Sequence, residues 1–160
     1  MPHVESKVVA IQIAPDKAYP MEQVDRVFAL RGAGLDGDRY AENRGAWSKS
    51  KRRIPRHVTL ISREAINEAN AEFGTDFTIM DTRRNIVTTG VDLNTLVGHE
   101  FYVARVRMRG VELADPCGRP SKLSGKEGFK EVFDGRGGLR VEVLSSGSIR
   151  KGSPVSIFES

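Results

Sequence analysis

The chain has 160 residues, 39% hydrophobic and 29% charged, a composition that excludes disordered and fibrous classes and predicts one packed domain over 1–160. A single cysteine rules out an intramolecular disulfide framework, and no Cys-x-x-Cys or His-x-x-x-His pair is present to build a structural zinc site. The formal net charge of +4, from 25 basic against 21 acidic residues, admits anionic partners but does not by itself identify a nucleic-acid binder.

Val8-Val9-Ala10-Ile11-Gln12-Ile13 reads as a buried strand ended by the turn Ala14-Pro15-Asp16, and Val24 to Leu30 reads as a second strand. Residues 31–40, with three glycines and two aspartates, must be a loop. Asp36 and Asp38 lack the terminal glutamate of a calcium loop, so turn capping and pairing with Arg39 is the expected role. Residues 43–56 carry Lys49, Lys51, Arg52, Arg53 and Arg56 around Trp47, and predict an exposed, mobile segment with nucleic-acid contact as the minor alternative. His57 to Ile61 forms a strand. Ser62 then caps a helix with Ile66, Ala69 and Phe73 on one face, ended by Gly74.

From Asn85 onward the pattern has period two, with Tyr102, Ala104, Val106 and Met108 on one face and Leu139, Val141 and Val143 alternating with Arg140 and Glu142. These predict half-buried antiparallel strands. Glycine and serine clusters at 135–138 and 145–148 separate the last of them, and Val155 to Phe158 closes the series. The expected fold is mainly β: a closed or partly closed antiparallel barrel with one principal helix and short helical turns. No apolar run reaches the roughly 18 residues of a membrane span and the first residues lack a signal-peptide pattern, so a cytoplasmic address with no membrane contact is expected.

Cys117 stands in the polar turn Asp115-Pro116-Cys117-Gly118-Arg119-Pro120. Free cysteine often serves as a small buried hydrophobe, but a thiol between Pro116 and Gly118, with Arg119 and Lys122 close by, suits a metal ligand or a nucleophile better. His3, His57 and His99 belong to no motif that would pair with it, which disfavours a Cys-His hydrolase. Arg83, Arg84 and Asn85 lead into a strand that carries Thr88. Guanidinium forks match phosphate oxygens and a carboxamide matches a heterocycle edge, while a solvated strand edge is the equally weighted alternative.

Taken in order, Gly34-Leu35-Asp36-Gly37-Asp38-Arg39, Arg84-Asn85-Ile86-Val87-Thr88, Gly90-Val91-Asp92-Leu93-Asn94, Leu96-Val97-Gly98, Pro116-Cys117 and Gly135-Arg136-Gly137-Gly138-Leu139 resemble the MOSC domain of molybdenum cofactor sulfurases. The resemblance implies a pyruvate kinase-like β-barrel and binding or sulfuration of the molybdenum cofactor (molybdopterin). It makes Cys117 the metal ligand or persulfide carrier and turns Arg84 and Asn85 toward the pterin and its phosphate. Arg39, Asp38 and Thr88 are the further cofactor-binding candidates. Tyr40 stands where the family commonly has histidine, Ala114 where a cysteine often precedes the Pro-Cys pair, and Gly152-Ser153 where Gly-Asp is usual. The resemblance leaves two roles open. One is an oxidoreductase of N-hydroxylated small molecules. The other is a sulfur or cofactor carrier served by a cysteine desulfurase or redox partner, which the lack of a second cysteine would make dependent on an outside thiol.

Overall fold

A computed structural model of the chain describes residues 5–16, 19–41 and 57–157, so the basic segment expected at 43–56 lies outside the described residues. The elements are β1 (Lys7–Ile13), β2 (Glu22–Val24), β3 (Arg26–Leu30), β4 (Gly34–Leu35), β5 (Val58–Ser62), α1 (Arg63–Phe73), α2 (Ile79–Thr82) and β6 (Ile86–Thr89). They continue through a 3₁₀ turn (Leu93–Leu96), β7 (Glu100–Val103), β8 (Val106–Leu113), α3 (Arg119–Ser124), α4 (Phe129–Val132), β9 (Leu139–Val143), β10 (Gly147–Arg150) and β11 (Val155–Ile157). Eight strands form one curled sheet in the order β11-β7-β8-β9-β5-β6-β1-β2, and β10-β3-β4 form a second. The start of β1 meets the turn before β11 and the first residue of β11 at a seam, where Val8 N donates to Ser153 O, Gly152 N to Val8 O and Val155 N to Ser6 O. The expected mainly β, partly closed barrel is the observed fold. No helix among the described residues is long and apolar enough to cross a membrane.

Alternation fills the barrel from one strand face and a second core from the other. Leu60, Ile86, Phe101, Met108 and Val141 point inward with Val8 and Ile11. Ile61 and Val87 point outward yet are equally buried, because α1 and α4 cover them with Ile66, Ala69, Phe129 and Phe133. The Phe129 and Phe133 rings stack at 4.5 Å and Phe77 meets both edge-on.

Four expectations from periodicity need correction. Val24 to Leu30 is not one strand: the chain bends at Asp25, whose carbonyl accepts from Lys151 N, and passes from the large sheet to the small one. Tyr102, Ala104, Val106 and Met108 do not share a face, because Ala104 adopts φ 55° in a two-residue turn that sets Val103 opposite Val106. The inward set is Phe101, Val103, Val106 and Met108. The strands are not all antiparallel: β5 and β6 run parallel, with α1 and α2 in the crossover between them. Phe73 leaves the helix's core face and lies 48% exposed beneath the Arg136 guanidinium. The helix ends agree with expectation, since Ser62 Oγ accepts from Ala65 N at 3.0 Å and Gly74 is left-handed at φ 64°.

His57 enters the barrel as a neutral side chain, because its Nδ1 accepts from Val143 N at 2.9 Å. Burial holds its pKa below the ordinary value, against the opposing pull of Glu142. The unfolded chain therefore binds more protons than the folded one between that lowered pKa and about 6.5. Stability is expected in full above this window and to fall as pH drops through it. Melting temperatures of the wild type and His57→Gln from pH 8 to 5 check this. Glutamine can still accept the bond without titrating, so parallel pH profiles would contradict the assignment.

Candidate functional site

The site assembles where three loops meet at one end of the barrel. In the first, Asp38 is fully buried and its Oδ1 accepts from Ala14 N and Arg39 Nη1, both at 3.0 Å, while Oδ2 accepts from Tyr40 N at 3.2 Å. This is the turn capping and Arg39 pairing expected of the aspartate. Arg39 lies over the Tyr40 ring at 4.6 Å and donates through Nη2 to Arg83 O at 3.1 Å.

In the second loop Arg83 caps α2 in a left-handed conformation, φ 59°, which turns the chain so that Arg83 and Arg84 point to different partners. Arg83 Nη1 donates to Tyr19 O at 2.7 Å. Arg84 Nε donates to Gly137 O at 2.7 Å and Nη2 to Ala114 O at 3.3 Å. Asn85 is fully buried: Oδ1 accepts from Thr59 N at 3.1 Å and Thr59 Oγ1 at 3.2 Å, and Nδ2 donates to Gln12 O at 3.2 Å. The carboxamide thereby ties β5 and β1 to the start of β6. Thr88 is buried with Oγ1 unpartnered and stands apart, about 10 Å beyond Asn85 by strand rise.

The third loop carries Cys117, half-buried between β8 and α3. Ala114 N donates to Gly138 O at 2.7 Å, and Gly118 begins α3 with its carbonyl accepting from Lys122 N at 3.1 Å. Gly137 packs so close that a Cβ there would stand 2.3 Å from Ala114 O and 3.1 Å from Pro116 Cδ. Arg84 and Gly137 together seat the Cys117 turn.

The charge is concentrated. Burial pushes Arg84 down to about 10, helped by Arg140 and Arg39 and opposed by Tyr40 and Cys117. Burial also pushes Arg83 down to about 10, with Arg39 and Arg119 adding to the effect and Tyr40 and Asp38 opposing it. Both remain cationic at neutral pH. Arg140, 5% exposed, approaches Glu112 at 3.6 Å. The sequence candidates Cys117, Arg84, Arg39 and Asp38 are thus brought to one region, and Asn85 supports it from within. Arg140 and Gly137 were not anticipated: Arg140 alternates with apolar residues like a solvent-facing strand position, and glycine at 137 reads as turn punctuation. Among the described residues no group of three or more His, Cys, Asp or Glu side chains could hold a metal ion.

No curated protein matches the chain. The crystal structure of the YUAD protein from Bacillus subtilis superposes with TM-score 0.81 at 19% identity, covering 98% of each chain. YiiM from Geobacillus stearothermophilus superposes with TM-score 0.71 at 14% identity, covering 96% of this chain and 75% of the other. YiiM from Escherichia coli gives 0.68 at 16% identity, covering 96% and 70%. These similarities establish the shared fold. The family model of the MOSC domain matches residues 48–156, more than half of the sequence. The chain belongs to the MOSC domain family.

Proposed function

We propose that the three-loop site binds a molybdenum cofactor, with the Cys117 thiolate as the protein's metal ligand and Arg84 and Arg39 holding the anionic end of the pterin. The observation that carries this reading is a half-buried thiol beside buried guanidiniums that stay charged at neutral pH. The donor set supports it: one sulfur with no trio of other ligands among the described residues suits a metal whose remaining ligands come with the cofactor. The MOSC family's general association with this cofactor points the same way.

When bound, the cofactor would supply two-electron redox chemistry at an open metal position, as in reduction of an N-hydroxylated small molecule. The protein's part is binding and orientation. Arg84 fixes the backbone before Cys117 through Ala114 O, and so sets where the sulfur lies. Asp38 holds Arg39 in place by its buried ion pair. Asn85 positions Arg84 by locking the strands on either side of it.

Protein purified from a cofactor-competent host is expected to contain stoichiometric molybdenum and pterin by elemental analysis and pterin fluorescence. Cys117→Ser should lose the metal and keep the fold, read by circular dichroism. Absence of molybdenum and pterin from the wild type would sink the reading. A carrier role would instead show as a gain of one sulfur atom on Cys117 by mass spectrometry after incubation with a cysteine desulfurase.

A further inference from the structure

Two side chains at the three-loop site carry hydrogen-bonding groups that the fold does not use. Arg39, Arg83 and Arg84 all donate to the protein itself: Arg39 to Asp38 and Arg83 O, Arg83 to Tyr19 O, and Arg84 to Gly137 O and Ala114 O. Arg119 differs. Half-buried in the first turn of α3, its side chain makes no hydrogen bond or ion pair among the described residues, not even with Asp115 four positions earlier. The hydroxyl of half-buried Tyr40 likewise has no partner among the described residues. Asp38 Oδ2 accepts from Tyr40 N at 3.2 Å and the Arg39 guanidinium lies 4.6 Å over the ring, so the phenol is fixed in place while its oxygen is unengaged.

Both side chains stand beside Arg83. Arg39 Nη2 reaches Arg83 O from the loop that carries Tyr40, and Pro120, the residue after Arg119, walls one cavity together with Arg83. Tyr40 and Arg119 also act on the Arg83 charge, alongside Arg39 and Asp38. The thiol is part of the same group, since Cys117 and Tyr40 both act on Arg84 and Arg119 follows Cys117 by two residues. A half-buried guanidinium beside a like charge and without an acceptor is destabilising until an anion supplies one.

We propose that Arg119 and Tyr40 form an oxyanion seat for the ligand of the Cys117 site, and that the group they take is the terminal phosphate of an ester. The identity of that ligand rests on the function proposed above; the seat does not. A guanidinium fork spans two oxygens and a phenol hydroxyl donates to a third, which matches the terminal oxygens of a phosphate monoester better than the pair of a carboxylate. Arg39, Arg83 and Arg84 add positive field while keeping their structural hydrogen bonds.

Full-length protein from a host that makes no molybdenum cofactor supplies the test, by calorimetry at low salt with inorganic phosphate, glycerol 3-phosphate and acetate. The two phosphates are expected to bind alike and acetate about tenfold more weakly. Arg119→Gln should weaken glycerol 3-phosphate binding about tenfold, and Tyr40→Phe, which keeps the ring under Arg39, about threefold to tenfold. Both variants should keep the fold by circular dichroism. Arg119→Lys, which keeps the charge and loses the fork, should retain only part of the affinity. Arg150→Gln removes an exposed arginine of β10 and should bind as the wild type does. No phosphate binding by the wild type, unchanged binding in both Arg119→Gln and Tyr40→Phe, or an equal loss in Arg150→Gln would overturn the seat. Binding of inorganic phosphate alone, or of acetate as tightly as phosphate, would refute the ester. Cys117→Ser should still bind both phosphates, so failure of the seat and absence of molybdenum are separate results.

Discussion

Alanine at position 137 is expected to unseat Cys117, lowering stability by about 3 kcal/mol or more and reducing molybdenum content in the same preparation. The added methyl would stand 2.3 Å from Ala114 O and 3.1 Å from Pro116 Cδ, a backbone oxygen and a proline ring that cannot swing aside. The carbonyls that must move are those that Arg84 holds, Gly137 O and Ala114 O. Crowding costs about 1–3 kcal/mol, and each hydrogen bond to a charged donor is worth about 1.5–3 kcal/mol. Gly135→Ala is the control. Position 135 is left-handed at φ 73° but has open space around the missing Cβ, so strain alone operates, about 1 kcal/mol. Urea unfolding of the two variants decides the matter, and equal midpoints would refute the seating role of Gly137.

Asn85→Asp is expected to cost about 3 kcal/mol or more at pH 7, although it changes the side chain's shape little. The carboxamide donates to Gln12 O and accepts from Thr59 N, so it needs a donor on one side and an acceptor on the other. A carboxylate keeps the second contact and turns the first into repulsion between oxygens, in a position with no exposure. Burial raises the pKa of such a carboxyl in the folded state, and its protonated form can donate to Gln12 O. The loss should therefore shrink as pH falls toward that raised pKa. Urea midpoints at pH 7 and pH 5 measure this. A variant as stable as the wild type at pH 7 would show that the carboxamide is not the tie between β1 and β5.

The parts of this molecule that could be read from sequence are those whose signals are local. Ser62 and Gly74 mark their helix because capping involves neighbours within one turn. Pro116, Cys117 and Gly118 stand out by composition, and the ordered motifs identified the family. The strand faces at 101–108 are not legible in the alternation, because an alanine takes a turn position that glycine or asparagine usually fills, which shifts the period by one. Arg84 could be named as a candidate, but its partners are not local: the carbonyls it closes lie 30 and 53 residues away. Arg140 is hidden for a related reason, since a charged residue alternating along β9 looks solvent-facing, yet it is buried beside Glu112 of the neighbouring strand. The Phe129 and Phe133 pair had a helical spacing that could have revealed the second core, but Gly125 and Gly128 interrupt the stretch before it.

The seam also dictates the order of assembly. Residues 6–8 close onto 152–155, so the ring is completed by contacts that span nearly the whole chain. Such pairings form late, after the loop entropy of everything between them has been overcome, and they place the fold among slow formers. Until then β1 and β11 each carry a row of open amide and carbonyl groups, which can template pairing with another molecule. A newly made chain is most vulnerable to intermolecular association in the interval before its last strand arrives.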